Sequence, residues 1–566
     1  MNPYRLVASS LLACGVLLGT GCGGGGGSGN PTPDASSRGS LSVSLAAGAA
    51  LDVQHVWVTL GAVALHTDAD RLWSGGDSSW QVVRFSQPVT LDLTTLNNGT
   101  QLPLMIGHAL PAGRYGQLRL FLLAHDAPLA DSARTLQLAH NAQVDYADAA
   151  GTARQVPLEL PDASLGLRID GPIDVPANEH AEVALQWDLE RSLVRLGSDD
   201  GIDRFTLRPD LRWYDVRNTG AIVGVLDRSQ FCAPGVRGGD CIHDAVASAL
   251  LPSADGRFKR SMRTSPVLVG TQYATFSLYP LPALAAGQTF DVVIRGRNMR
   301  TMVVRHVPAQ PAGLLEALPT RLGADPNDPT TPAPMVPVLQ PQAAARVSLS
   351  QPMAHTGARL LFGQTLPGDS APLEIAGANV DPFSGLLAQP AVLPGGPLRV
   401  AEYRSDAVLS FADFTPQEGQ QVFSAMALGT RYDEPSATIA LAAPPGNVSF
   451  VAPEPGARAG LGSGTLAVTL AAAPASRYDA AELVVWDANG IVTTRDLSAG
   501  LAGGTVVELA LPAGAEAAAL GGTAVYAVAV RAWRRDAPAA TLRWARASGV
   551  VDLRNASTAS AALALP

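Results

Sequence analysis

The stretch Leu110-Pro111-Ala112-Gly113-Arg114-Tyr115-Gly116-Gln117-Leu118-Arg119-Leu120 decides the fold class. Pro111 and Gly113 are turn formers, one fixing φ and the other tolerating backbone angles closed to other residues. After them, Leu118, Leu120 and Leu122 alternate with Arg119 and Phe121, the period of two that lines one face of a strand with apolar side chains. An aromatic at the start of such a strand plugs the end of a sandwich. Tyr115 is therefore expected to be buried, its hydroxyl bonded to a nearby backbone group.

The same grammar extends in both directions. Val56, Val58 and Leu60 alternate with Trp57 and Thr59, and Val183, Leu185, Trp187 and Leu189 alternate with Ala184, Gln186 and Asp188. Turn clusters fall at Gly75-Gly76-Asp77, Asn97-Asn98-Gly99 and Asp170-Gly171-Pro172. Glu190 to Val194 has room for one helical turn. Short strands, frequent turns and the absence of a long amphipathic pattern predict an all-β chain of tandem immunoglobulin-like or prealbumin-like β-sandwich domains.

Within 39–214 the order of segments is specific. It runs through Gly39-Ser40-Leu41-Ser42-Val43, Val56 to His66, Trp80-Gln81-Val82-Val83, Leu91-Asp92-Leu93 and Leu110 to Leu120, then Trp187-Asp188-Leu189-Glu190-Arg191-Ser192-Leu193 and Phe205-Thr206-Leu207-Arg208-Pro209. In these elements the region resembles the bacterial lipoprotein family catalogued as domain of unknown function 4382. The resemblance implies an envelope address and a sandwich fold, and no activity.

Three further units follow. Residues 215–308 open with the strand Gly220 to Val225 and end at Phe290-Asp291-Val292-Val293-Ile294-Arg295-Gly296, which resembles carboxypeptidase regulatory-like, prealbumin-like modules. Cys232 and Cys241 bracket a loop full of turn formers, and in an exported protein they are expected to form a disulfide. Closing a loop of about ten residues stabilises by about 2.7 kcal/mol. Zinc held with His243 and Asp244 is the weaker alternative, because the cysteine spacing is too wide for a zinc knuckle. Residues 309–344 read as a Pro-rich linker, extended over Asp325 to Pro334. Residues 345–442 and 447–566 read as two more sandwiches. In the last, Asn489-Gly490 between apolar runs marks a hairpin, Thr523 to Trp533 a strand, and Ala513 to Leu520 a short helix or a loop.

The first 38 residues give the address. Arg5, an apolar run from Leu6 to Val16, and Leu18-Gly19-Thr20-Gly21-Cys22 resemble a lipoprotein signal (1–21) whose lipid-bearing residue is Cys22, followed by a Gly/Ser/Pro tether over 22–38. The position three residues before Cys22 is Gly19 instead of the usual leucine. An ordinary secretory signal or an uncleaved anchor is the alternative. Gly23 after the cysteine favours the outer membrane by the same resemblance, with a lipid anchor as the membrane partner.

Composition narrows the function classes. The chain has 566 residues, 16% of them charged, and a net charge of −9. Its positive charge is nearly all arginine, with Lys259 the sole lysine. A mildly acidic chain without a basic stripe is not expected to bind nucleic acid. Arg257, Arg260, Arg263, Arg295, Arg297, Arg300 and Arg305 gather in the second unit, either as an anion-binding patch or, more commonly, as a solvated strand face. Asp68, Asp70 and Asp77, and likewise Asp199, Asp200 and Asp203, sit on loops of the kind that hold calcium, but without its twelve-residue ligand spacing. Hydrated turns explain them as well, and no metal or cofactor is expected.

No nucleophile elbow, His-Glu-x-x-His or phosphate loop occurs, and Gly462-Ser463-Gly464 has the wrong spacing for an elbow. The expected role is therefore non-catalytic binding or scaffolding at the envelope, with a glycan or a protein as ligand. Trp73 and Trp80, beside the Gly75-Gly76-Asp77 loop, are the candidate glycan contacts, although core packing suits Trp80 better. The alternatives are an envelope enzyme acting on polysaccharide and a purely mechanical spacer.

Overall fold

Strand Arg38–Ala47 turns Leu41, Val43 and Leu45 inward, each almost wholly buried, and their alternation with Ser40, Ser42 and Ser44 sets the pattern for the first unit. The structure is a computed structural model. It describes residues 37–566 except 149, 161–162, 164, 198–201, 233–237, 254, 312–318, 341–344, 354–357, 367, 394–396, 415–419, 428–435, 441–446, 453–461, 474–475, 488–489, 520–522 and 538–540. Cys22 lies outside the described residues.

The chain is all-β, built as sheets packed face to face. In the first unit, one sheet runs in the order Leu211–Asp215, His180–Trp187, Arg38–Ala47, Leu102–Pro111. The second sheet centres on His55–His66, which pairs with Gly113–Leu122, Gln81–Asp92 and Gln143–Ala147. Leu118, Leu120, Leu185 and Trp187 meet between the sheets. Tyr115 is 1% exposed and its Oη donates to Pro111 O at 2.9 Å, as its place in the sequence leads one to expect.

One expected turn is absent. Asp170, Gly171 and Pro172 lie inside strand Leu167–Val175, which pairs with Gly113–Leu122. The partner strand bulges between Tyr115 and Gln117, and a Cβ on Gly171 would stand 2.3 Å from Tyr115 O. The glycine therefore serves a close backbone approach across a bulge. The helical turn does form, over Leu189–Ser192, capped by Asp188, whose side chain accepts from Arg191 N.

Strands from the second and third units join in one ten-stranded sheet. Met302 to Arg305 pair in parallel with Arg399 to Glu402, and Lys259 meets Leu373. The described residues of the proline-rich stretch 309–344 do not run free between them. Gln310–Pro311 and Thr320–Leu322 pair with Gly220–Asp227, and Met335 N donates to Val225 O at 3.0 Å. Asp325 N donates to Thr331 O at 2.9 Å, so the run expected to be extended folds back on itself.

Asn447–Phe450, read from sequence as the start of the fourth unit, pairs with Ala345–Leu349 of the third. The fourth unit has Gly464–Leu470 between Thr505–Leu511 and Thr558–Leu563 on one sheet, and Ala480–Asp487 with Val525–Trp533 on the other. Asp487 pairs with Gly490 where the hairpin was expected, while Asn489 lies outside the described residues. The alanine-rich stretch forms a helix over Gly514–Ala519.

Candidate functional site

The short helix Leu189–Ser192 carries the residues on which three units meet. Glu190 accepts from Arg295 Nη2 of the second unit at 3.2 Å and from Arg359 Nη2 of the third at 3.3 Å. The adjacent Arg191 donates to Ser261 O at 2.9 Å and to Glu374 Oε2 at 3.3 Å. Burial pushes the Glu190 carboxyl up, but Arg295, Arg359 and Arg191 outweigh it and hold the group below its ordinary value. Asp188 is pushed up, because its burial exceeds the pull of Arg191. This cluster holds its carboxylates against guanidinium groups.

Other bonds extend the seam. Asn98, in the first unit's Asn97-Asn98-Gly99 turn, donates to Pro266 O at 3.0 Å and accepts from Ser277 N at 2.7 Å. Lys259 bridges Asp291 and Asp369 at 2.7 and 2.8 Å. The fourth unit joins the first through Arg546 and Asp126 at 3.1 Å, and Arg531 lies between Glu482 and Glu159 with Phe383 of the third unit against its guanidinium. Most arginines of the second unit thus form neither an anion patch nor a solvated face, while Arg257 and Arg297 stay exposed. Arg295, Arg300 and Arg305 pair with Glu190, Asp413 and Asp369, and Arg263 is fully buried, because neighbouring units cover these strands.

Where the first, third and fourth units meet, a cleft remains. Its cavity volume is about 90 Å³, or about 1110 Å³ with the open mouth included. Leu120, Leu167 and Leu207 line it from the first unit, Val380 from the third, and Trp486 and Ala527 from the fourth. Arg119, Arg168, Arg208 and Asp487 supply its charge. Trp486 is 4% exposed, and its Nε1 has no hydrogen-bond partner among the described residues. Burial, reinforced by Arg359 and Arg191, brings the Arg208 guanidinium down to about 9, while Asp210 acts against that fall. Arg208 Nη2 donates to two neutral oxygens, Arg191 O at 3.1 Å and Asn379 Oδ1 at 3.0 Å.

The aromatic loop named from sequence borders this cleft through Leu72. Trp80 is 4% exposed, with His66 at 4.9 Å and the Arg119 guanidinium 5.5 Å over its ring, so it is a core residue and not an exposed contact. Trp73 is half-buried, edge-on to Trp80 at 5.2 Å and against Phe121 at 4.4 Å. Among the loop carboxylates, Asp77 is engaged by Ser79 and Arg71, whose hydrogen bonds bring its pKa down to about 2. Asp203 faces Arg195 at 3.6 Å, while Asp199 and Asp200 lie outside the described residues.

Cys232 and Cys241 form a disulfide. His243 Nε2 lies 2.7 Å from Gly238 O and Asp244 pairs with Arg297, which replaces the zinc alternative with ordinary local contacts. Among the described residues no three His, Cys, Asp or Glu gather as a metal site, and no helix is long and apolar enough to cross a membrane. Sequence reading missed Glu190, Arg359, Glu374 and the cleft residues around Trp486. Only the Asp188-Leu189-Glu190-Arg191 turn carried a signal, as charge placed next to buried strand positions.

Residues 38–209 match the family described as "Domain of unknown function (DUF4382)". No curated protein matches the chain. Among solved structures, the chain is similar to the Bacillus anthracis TIE protein at 8% identity and a TM-score of 0.14, covering 91% of this chain and 69% of that one. A putative adhesin from Bacteroides ovatus matches at 10% identity and a TM-score of 0.14, covering 57% of this chain and 99% of the other. The Corynebacterium diphtheriae major pilin SpaA matches at 9% identity and a TM-score of 0.12, covering 72% and 99%.

Proposed function

We propose that the protein is an outer-membrane lipoprotein, held by lipid on Cys22 and a short tether, with a non-catalytic binding or scaffolding role at the envelope. The observation that carries this reading is the sharing of Glu190 between Arg295 and Arg359. Those contacts join three units into one frame, and a rigid frame on a flexible tether presents its clefts and loops at high local concentration. An enzyme would be expected to place its buried ionisable groups in an open cleft. Here the Glu190 cluster lies in the seam, its carboxylates against guanidinium groups, while the cleft holds Arg119, Arg208 and Asp487. A glycan or protein ligand suits the frame, with half-buried Trp73 as the aromatic left at the loop.

The test is membrane fractionation with protease shaving of intact cells, comparing wild type with Cys22→Ala. Outer-membrane recovery of the wild type and release of the variant as soluble protein support the anchor. Equal behaviour of the two chains overturns it, and shaving of the wild type decides which face of the membrane is occupied.

A further inference from the structure

The junction cleft has the makings of a small-molecule site. Its walls include leucine, valine, alanine and tryptophan, and three arginines and one aspartate are among its lining residues. Ligand pockets of this kind are apolar with a few polar groups that fix orientation. An apolar cavity of about 150 Å³ takes a benzene-sized body; the enclosed part here, about 90 Å³, is smaller, so a ring or short chain must extend into the open mouth, and a compact ligand suits the cleft better than a long acyl chain.

Two independent features specify the polar end. The first is the charge of the lining, three arginines to one aspartate, of which Arg168 is paired with Asp170 outside it. The second is the indole N–H of Trp486, a buried donor without an acceptor among the described residues. A buried donor left unmatched is costly, and a ligand oxygen would relieve it. Of the arginines, Arg168 gives its Nε proton to Asp170 at 2.6 Å and Arg119 gives its Nη1 proton to Leu165 O at 2.7 Å, so both guanidinium planes are held in place by the first unit.

We propose that this cleft binds a compact amphipathic carboxylate, its apolar body of one ring or a short chain against Leu167, Leu207 and Trp486, and its carboxylate among the arginines and the Trp486 N–H. Because the walls come from three units, the ligand also ties the first, third and fourth together. The proposal goes beyond the glycan or protein ligand of the binding reading above by adding a small-molecule one, and it does not depend on the anchor at Cys22.

Isothermal titration of the purified full chain with 4-phenylbutyrate tests it, with octanoate as the aliphatic arm and 4-phenylbutanol as the neutral control. The expected result is saturable binding of one carboxylate per chain, at least tenfold tighter than the alcohol. Ala527→Trp fills the cleft and should abolish binding, and Trp486→Phe, which removes the N–H and keeps a ring, should weaken it severalfold. If Ala527→Trp fails to fold by circular dichroism, Trp486→Phe decides.

Absence of saturable heat with both carboxylates overturns the site. Equal affinity for acid and alcohol overturns the anionic end, and unchanged binding in a folded Ala527→Trp overturns the location. Tighter binding of 4-phenylbutyrate than octanoate assigns a ring to the body, and the reverse assigns a chain. Loss of ligand binding with intact Cys22-dependent fractionation condemns this proposal alone, whereas the opposite pattern condemns the anchor alone.

Discussion

Arg359 Nη2 donates to Glu190 Oε1 at 3.3 Å across 169 residues of chain, and Arg295 reaches the same carboxylate from the other side. Arg359 is almost fully buried, and its charge is offset there by Glu190 and, at 3.8 Å, by Glu374. Replacing Arg359 by Ala should cost about 3–5 kcal/mol, since it breaks a buried pair and leaves part of the cluster uncompensated. Glu190→Ala should cost a similar amount by stranding two guanidinium groups. A denaturant double-mutant cycle should give a coupling of about 1 kcal/mol or more, and additive losses would refute a shared junction.

A second prediction concerns pH. Burial holds the imidazole of His125 below its ordinary value, outweighing Glu159 and Asp126, which act the other way, and His140 is lowered by burial as well. The folded state therefore favours the neutral rings. Stability from this site is complete above about pH 6.5 and declines as the pH falls through the lower folded values. Arg546 of the fourth unit pairs with Asp126 beside it, so that interface should weaken first. Thermal melts at pH 7.5 and 5.5 should differ in wild type and differ less in His125→Leu; an unchanged difference refutes the assignment.

Gly171 tests the bulge. A methyl there would meet Tyr115 O at 2.3 Å, with Gly116 O at 2.8 Å. Gly171→Ala should lower stability by about 1–3 kcal/mol through displaced backbone. A neutral result in chemical denaturation would mean that the two strands separate more easily than their pairing implies.

Asn98 tests the seam between the first two units. It has a left-handed backbone with φ of 51° and bonds both Pro266 O and Ser277 N. Asn98→Gly keeps that backbone and removes both bonds, so about 1–2 kcal/mol should be lost. Hydrogen exchange should rise at Ser277 and leave the core strand Gly113–Leu122 unchanged.

The strands of the first unit were legible because alternation and turn chemistry are local. Tyr115 could be placed down to its hydrogen bond, and the helix after Asp188 could be placed to within two residues. Asp170-Gly171-Pro172 misled because glycine marks close backbone approach as readily as a turn. The path of 309–344 misled because proline content cannot reveal a neighbouring strand that accepts hydrogen bonds. The seam and the cleft were illegible for a different reason. Glu190 and Arg359, or Leu167 and Trp486, meet only through packing of separate units, and an isolated arginine in sequence carries no mark of the carboxylate it will face. Trp80, for which core packing already suited the sequence better than a glycan contact, is covered by Arg119 and His66.

The central claim is that the units form one body around the first, and small-angle scattering of the chain in solution tests it most directly. A compact body of about 530 residues has a radius of gyration of about 24 Å, and the account predicts a value not far above that, independent of salt. A radius beyond about 35 Å, or one that grows as ion pairs are screened, would show the units strung apart and contradict it.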